Sequence, residues 1–113
     1  MTIDILFVNP SAAQKAYQGL ANNYSAIEPP TWALLLAQSC RSAGFKVCII
    51  DANAENLSND VIFKKINKFK PKIVCLVVYG QNVNAGTANM SGAVDIANFL
   101  KKKNIPYPIA FIG

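Results

Sequence analysis

This chain has few residues suited to acid–base or nucleophilic chemistry. It contains no histidine, which removes imidazole general bases, the Ser-His-Asp triad and imidazole metal ligands together. Its cysteines, Cys40, Cys48 and Cys75, have the spacing of no zinc or iron–sulfur motif. The residues offer hydrogen bonding and close backbone approach instead. Four clusters have that character: Asn9-Pro10-Ser11, Asp51-Ala52-Asn53, Tyr79-Gly80-Gln81 and the terminal Gly113. Small and glycine residues let a ligand reach the main chain. The same residue types also serve simply to end strands. Every cluster follows an apolar run, and two of them lead into long polar stretches, which favours a ligand site.

Those apolar runs are the elements that must position the clusters. Ile3–Val8 is near-continuous, interrupted only by Asp4, as expected of a strand buried on both faces. Lys46–Ile50 and Ile73–Val78 read the same way, and a further strand is expected around Pro108–Ile112, with Pro106 and Pro108 keeping its start off the ladder. Helices are expected between them. Thr31–Ala43 follows Pro29-Pro30 and stops at Gly44. It is apolar around much of its circumference and should be well covered. Leu57–Phe69 places Val61, Ile62, Ile66 and Phe69 at helical spacing, with Ser58 as a cap and Asp60 in the first turn. Met90–Lys103 puts Met90, Ala93, Val94, Ala97 and Leu100 on one face. Strands alternating with helices mean right-handed crossovers and a parallel sheet. The expected fold is therefore α/β: a flavodoxin-like, Rossmann-like doubly wound sheet with four strands, filling 1–113 as a single domain. A doubly wound domain normally continues past such a fourth strand. We expect an N-terminal piece of a longer protein, with an exposed sheet edge prone to self-association.

Composition agrees with a packed domain. Of the 113 residues, 52% are hydrophobic and only 15% charged, a balance that excludes a disordered chain. The net charge of +5 comes largely from Lys64, Lys65, Lys68, Lys70, Lys72 and Lys101-Lys102-Lys103. These lysines sit near expected helix ends, where cations suit the macrodipole. Aromatic residues are not interleaved with them, so a nucleic-acid surface is not expected. No stretch approaches a membrane span, and the first apolar run lacks the basic flank and length of a signal peptide. The cysteines read as small core residues in a reducing compartment, and the expected location is cytoplasmic.

The polar stretch between Pro10 and Glu28 exceeds ordinary connection lengths. It leaves the carboxyl end of the first strand, where open α/β sheets hold ligands. Several ligand classes can be tested against it. Asn9-Pro10-Ser11-Ala12-Ala13-Gln14 is no Gly-x-Gly-x-x-Gly fingerprint, and no P-loop is present. The third strand ends Val78-Tyr79-Gly80 without an acid, which disfavours a phospho-receiver. Ser11 alone is a poor phosphate loop for a flavin.

The residues do resemble one family. Asn9-Pro10, Glu28-Pro29-Pro30, Ala43-Gly44-Phe45, Val47, Ile49-Ile50-Asp51-Ala52, Val78-Tyr79-Gly80-Gln81 and Phe111-Ile112-Gly113 occur in that order across nearly the whole chain. Each piece is common in isolation; order and spacing carry the resemblance. The pattern resembles the N-terminal cobalamin-binding domain of cobalamin-dependent radical S-adenosylmethionine enzymes. That resemblance implies a corrin ring held over the strand ends, flanked by Asn9, Pro10, Ser11, Glu28, Pro29, Asp51 and Ala52. Tyr79, Gly80, Gln81 and the loop to Thr87 would line the ring and nucleotide tail, and Gly113 would open a glycine turn. Other cobalamin domains place Asp-x-His-x-x-Gly after the first strand, whereas Asn9-Pro10-Ser11 stands here. No histidine of this chain would ligate cobalt, and an open lower face suits the four-coordinate state that takes up a methyl group. The family's Cys-x-x-x-Cys-x-x-Cys cluster motif is absent from these residues. The iron–sulfur cluster and S-adenosylmethionine would belong to a downstream radical domain, and this module by itself would not be catalytic.

Two other readings make different predictions. The N-terminal half of a nucleotide-sugar glycosyltransferase would be followed by a second α/β domain and no cysteine cluster. A ligand-free flavodoxin-like interaction domain would form no pocket over the strand ends.

Overall fold

A computed structural model of the chain describes residues 2–10, 30–78 and 83–113, with the backbone alone for 83–89. Its elements run β1 (Ile5–Asn9), α1 (Thr31–Ser42), β2 (Val47–Asp51), α2 (Asn59–Phe69), β3 (Ile73–Val77), α3 (Val83–Lys102) and β4 (Ile109–Ile112). The strands form one sheet in the order β2-β1-β3-β4, with every neighbouring pair parallel. This is the α/β, flavodoxin-like arrangement expected from the alternation of apolar runs. Leaving β1, the chain first adds β2 on one side, then crosses β1 to add β3 on the other. The direction of winding therefore reverses between β1 and β3, and such a reversal opens a crevice at the carboxyl ends of the strands.

Alternation along the strands builds two cores. Leu6, Val8, Ile50, Val74 and Leu76 face α2 and α3, where Ile62, Ile66, Ala93, Ile96 and Leu100 complete a buried cluster. Phe7, Cys75 and Val77 point the other way and meet Ala33 and Ala37 of α1. The cysteines are free, with Cys75 buried and Cys40 and Cys48 partly so. Burial raises the pKa of both Cys48 and Cys75, because a thiolate loses hydration in an apolar layer.

Element ends follow local rules. Ser58 Oγ accepts from the Val61 N–H at 3.3 Å and caps α2, and Asp60 lies in its first turn. Gly44 takes φ +97° after α1. No heavy atom stands where a Cβ would go, so glycine is needed there for its conformation and not for space. Lys70 and Asn104 adopt left-handed φ values of 48° and 54° just past α2 and α3.

Three expectations need correction. First, α3 starts at Val83 instead of Met90, so Thr87 lies within a helix and not in a loop. Asn84, Gly86, Thr87 and Asn89 are weak helix formers. Once the Ala93–Leu100 part has packed, however, extending the helix costs only the small propagation term and not a new nucleus. Second, the buried stripe of α3 is Ala93, Ile96 and Leu100, while Met90 and Val94 are exposed. The stripe is chosen by contact with β3 and α2, and propensity alone does not select it. Third, α1 is not covered all round: Leu34 is 52% and Leu35 57% exposed among the described residues. It meets the sheet through Ala33 and Ala37, with Leu36 and Cys40 beside them, and among the described residues it is the one helix on that face.

At the opposite end of the sheet from the crevice, Asp4 joins two elements. Its carboxylate accepts from the Lys46 N–H at 2.8 Å and pairs with Lys72 Nζ at 3.0 Å. The Lys46 N–H bond, then Lys72, hold its pKa below the ordinary 3.8. A carboxylate depressed in the fold stabilises it above its unfolded pKa, and that stabilisation is lost as pH falls through the folded value. Denaturation of Asp4→Ala should accordingly be less pH-dependent than that of the wild-type chain below about pH 4. Parallel urea curves at neutral and acid pH will check this, and identical pH dependence would refute the assignment.

Candidate functional site

The carboxyl edge of the sheet brings β1 and β2 into register to their last residues, with Asn9 opposite Asp51. Their side chains meet: Asn9 Nδ2 donates to Asp51 Oδ1 at 2.9 Å. The same oxygen accepts from the Ala54 N–H at 3.1 Å, as an aspartate does when it organises the turn that follows it. The main chain adds further ties. Ala52 N–H donates to Asn9 O at 3.0 Å, Leu57 N–H to Ala52 O at 3.0 Å, and Glu55 N–H to Asp51 O at 3.1 Å. Asn56 takes a left-handed φ of 50° to close the loop, a conformation that asparagine tolerates well. The β2–α2 connection is thus a hydrogen-bonded cap seated on the end of β1.

Burial separates the expected site residues by role. Asn9 and Asp51 are half-buried, so they sit at the boundary between core and solvent. Pro10 is fully buried, and Ala52 is buried among the α2–α3 core residues. Those two shape the floor of the edge and present no side chain to solvent. Gly113 is exposed at the end of β4, on the same edge. Thr87 belongs to the first turns of α3. Ser11, Glu28, Pro29, Tyr79, Gly80 and Gln81 lie outside the described residues.

Sequence reading identified Asn9 and Asp51 separately as strand ends. It did not foresee their direct bond, because the pairing of β1 with β2 decides it. It also missed Ala54, whose only contribution is a backbone N–H that no residue type announces.

Scans of protein-family models, curated proteins and solved structures found no match to this chain.

What the edge can do chemically follows from its groups. An amide and a carboxylate, held together on a rigid turn, offer donors and acceptors to a ligand rich in amides or hydroxyls. Among the described residues no three His, Cys, Asp or Glu side chains converge as metal ligands. No helix among them is long and apolar enough to cross a membrane.

Proposed function

We propose that the chain is a corrinoid-binding module of a radical S-adenosylmethionine methyltransferase-type enzyme, holding cobalamin without a histidine bond to cobalt. The observation that carries this reading is topological. The sheet order puts the winding reversal between β1 and β3. Of the segments that resemble the cobalamin domain, Asn9-Pro10, Asp51-Ala52, Val78 and Gly113 fall on the carboxyl edge of the sheet, on either side of that reversal, while Ala43-Gly44-Phe45 and Val47 lie at its amino end. Ligands of open α/β sheets bind at the carboxyl edge.

The residues present suit such a ligand. A corrin carries amides around its rim, and the Asn9–Asp51 pair can exchange hydrogen bonds with amides. Pro10 and Ala52 are buried next to that pair and would support the edge from beneath. Asn9, Asp51 and the backbone of the 51–57 turn would hold the ring edge, and Gly113 would let the nucleotide tail pass close to the main chain. Cobalamin, when bound, supplies methyl-group transfer chemistry. The cluster and S-adenosylmethionine would come from a radical domain downstream of Gly113.

The test is titration of the purified chain with hydroxocobalamin, followed by visible absorbance and by co-elution of corrinoid with protein. Saturable binding of one corrinoid per chain is expected, with no histidine-ligated spectrum. A UDP-sugar titration run alongside addresses the glycosyltransferase alternative. If the correctly folded chain shows no saturable corrinoid binding, the reading is wrong.

A further inference from the structure

Two contacts fix how α3 lies against α2. Asn59 Nδ2 donates to Asp95 Oδ2 at 3.2 Å, across 36 residues of chain. One turn further along both helices, the Phe63 and Phe99 rings meet edge to face with centroids 6.4 Å apart, at the same offset. Residues four apart share a helix face, so a constant offset over one turn means that α2 and α3 run side by side in the same direction. α2 begins at Asn59, whereas α3 begins at Val83. The stretch Val83–Val94 therefore lies beyond the start of α2, as about 18 Å of helix at the ordinary rise per residue.

That stretch stands at the carboxyl edge of the sheet. Asn59 directly follows the turn that caps this edge, and α3 packs on β3, which borders the winding reversal. The sequence of the stretch does little to hold it helical. Asn84, Gly86, Thr87, Asn89 and Gly92 are weak helix formers. Met90 and Ser91 are exposed, and among the described side chains of α3 apolar burial begins at Ala93. The partly buried Asn59–Asp95 bond lies at the level where α3 parts from α2. A hydrogen bond to a charged acceptor is stronger than a neutral one. The Asp95 carboxylate also lies at the amino end of α2, where the macrodipole favours negative charge.

We infer that Asn59 and Asp95 are positioning residues for the carboxyl-edge site. Their bond sets the direction in which Val83–Val94 leaves the fold, and holds this half of α3 as a side wall of the crevice between β1 and β3. As a statement about a ligand site, the inference rests on the corrinoid reading. Strand ends give a large ring a floor, and the projecting helix gives its rim a side. A wall held in place before binding spares the ligand the cost of ordering it.

The experiment compares the wild-type chain with Asn59→Ala, Asp95→Ala and Asp95→Asn by amide hydrogen exchange and by hydroxocobalamin titration. Without ligand, the amides of 87–92 should exchange ~10-fold faster in both alanine variants, and those of 97–102 should be unchanged. Asp95→Asn keeps an acceptor oxygen and should restore most of the protection. The Kd for hydroxocobalamin should rise ~10-fold in the alanine variants and recover in Asp95→Asn. The inference is overturned if 87–92 exchange as in the wild type, or if all of α3 loosens equally, since the pair would then only stabilise the fold. It is also overturned if the alanine variants bind hydroxocobalamin as tightly as a wild-type chain that binds it. No binding by the wild type defeats the corrinoid reading instead, and the exchange rates then decide by themselves whether the pair positions α3.

Discussion

Replacing Phe7 by alanine should cost the fold roughly 3–5 kcal/mol, much of the stability of a small domain. Phe7 is 1% exposed at the centre of β1, between Ile49 of β2 and Cys75 of β3. Its ring is the largest side chain in the α1-side cluster, and Ala33 and Ala37 of α1 pack beside it. Alanine at positions four apart lets the helix approach the sheet, and neither methyl group can expand into the space the ring leaves. A cavity term therefore adds to the lost transfer energy. Urea denaturation should show a large fall in midpoint with little change in slope. Phe111→Ala is the control: the same substitution at a half-exposed position on the edge strand should cost no more than about 1 kcal/mol. Similar losses for the two variants would mean that Phe7 is not the anchor of that face.

Asp51→Ala should have the largest effect on the proposed site. It removes the oxygen that accepts from both Asn9 Nδ2 and the Ala54 N–H. Two bonds to one partly solvated carboxylate are worth about 1–2 kcal/mol of stability together. The loss releases the β2–α2 turn from the end of β1. If this edge holds the corrin, affinity for hydroxocobalamin should fall about ten-fold or more, because the turn must then be ordered on binding. Asp51→Asn keeps an acceptor oxygen for both donors and should recover most of the stability and much of the binding. Asn9→Ala combined with Asp51→Ala should cost less than the sum of the two single changes, since the variants share one contact. Far-ultraviolet circular dichroism at the titration temperature ensures that folded proteins are compared. Unchanged corrinoid affinity in Asp51→Ala would remove this pair from the site while leaving its structural role intact.

Much of the fold could be read directly from residue order. Apolar runs such as Ile73–Val78 have the length and β-branched content of strands buried on both faces. Ser58 and Gly44 mark boundaries through local chemistry that needs no tertiary context. Together with the alternation of elements, this determined a parallel α/β sheet and its carboxyl edge, where open sheets of this kind hold ligands. The ends of β1 and β2 were likewise legible as site candidates, since Asn, Asp and Pro after an apolar run are local signals.

Contacts between distant residues were decided only by tertiary structure. Whether Asn9 touches Asp51 depends on β1 lying beside β2 in a register that aligns their last residues. A pattern within either strand does not encode that register. Helical periodicity put Met90, Ala93, Val94, Ala97 and Leu100 on one buried face of α3, whereas packing buries Ala93, Ile96 and Leu100 and leaves Met90 and Val94 exposed. The early start of α3 is of the same kind, because weak propensity in 83–89 is overridden once the rest of the helix is anchored. Local chemistry thus determined which elements form and where they stop. Long-range packing decided which of their faces and ends meet.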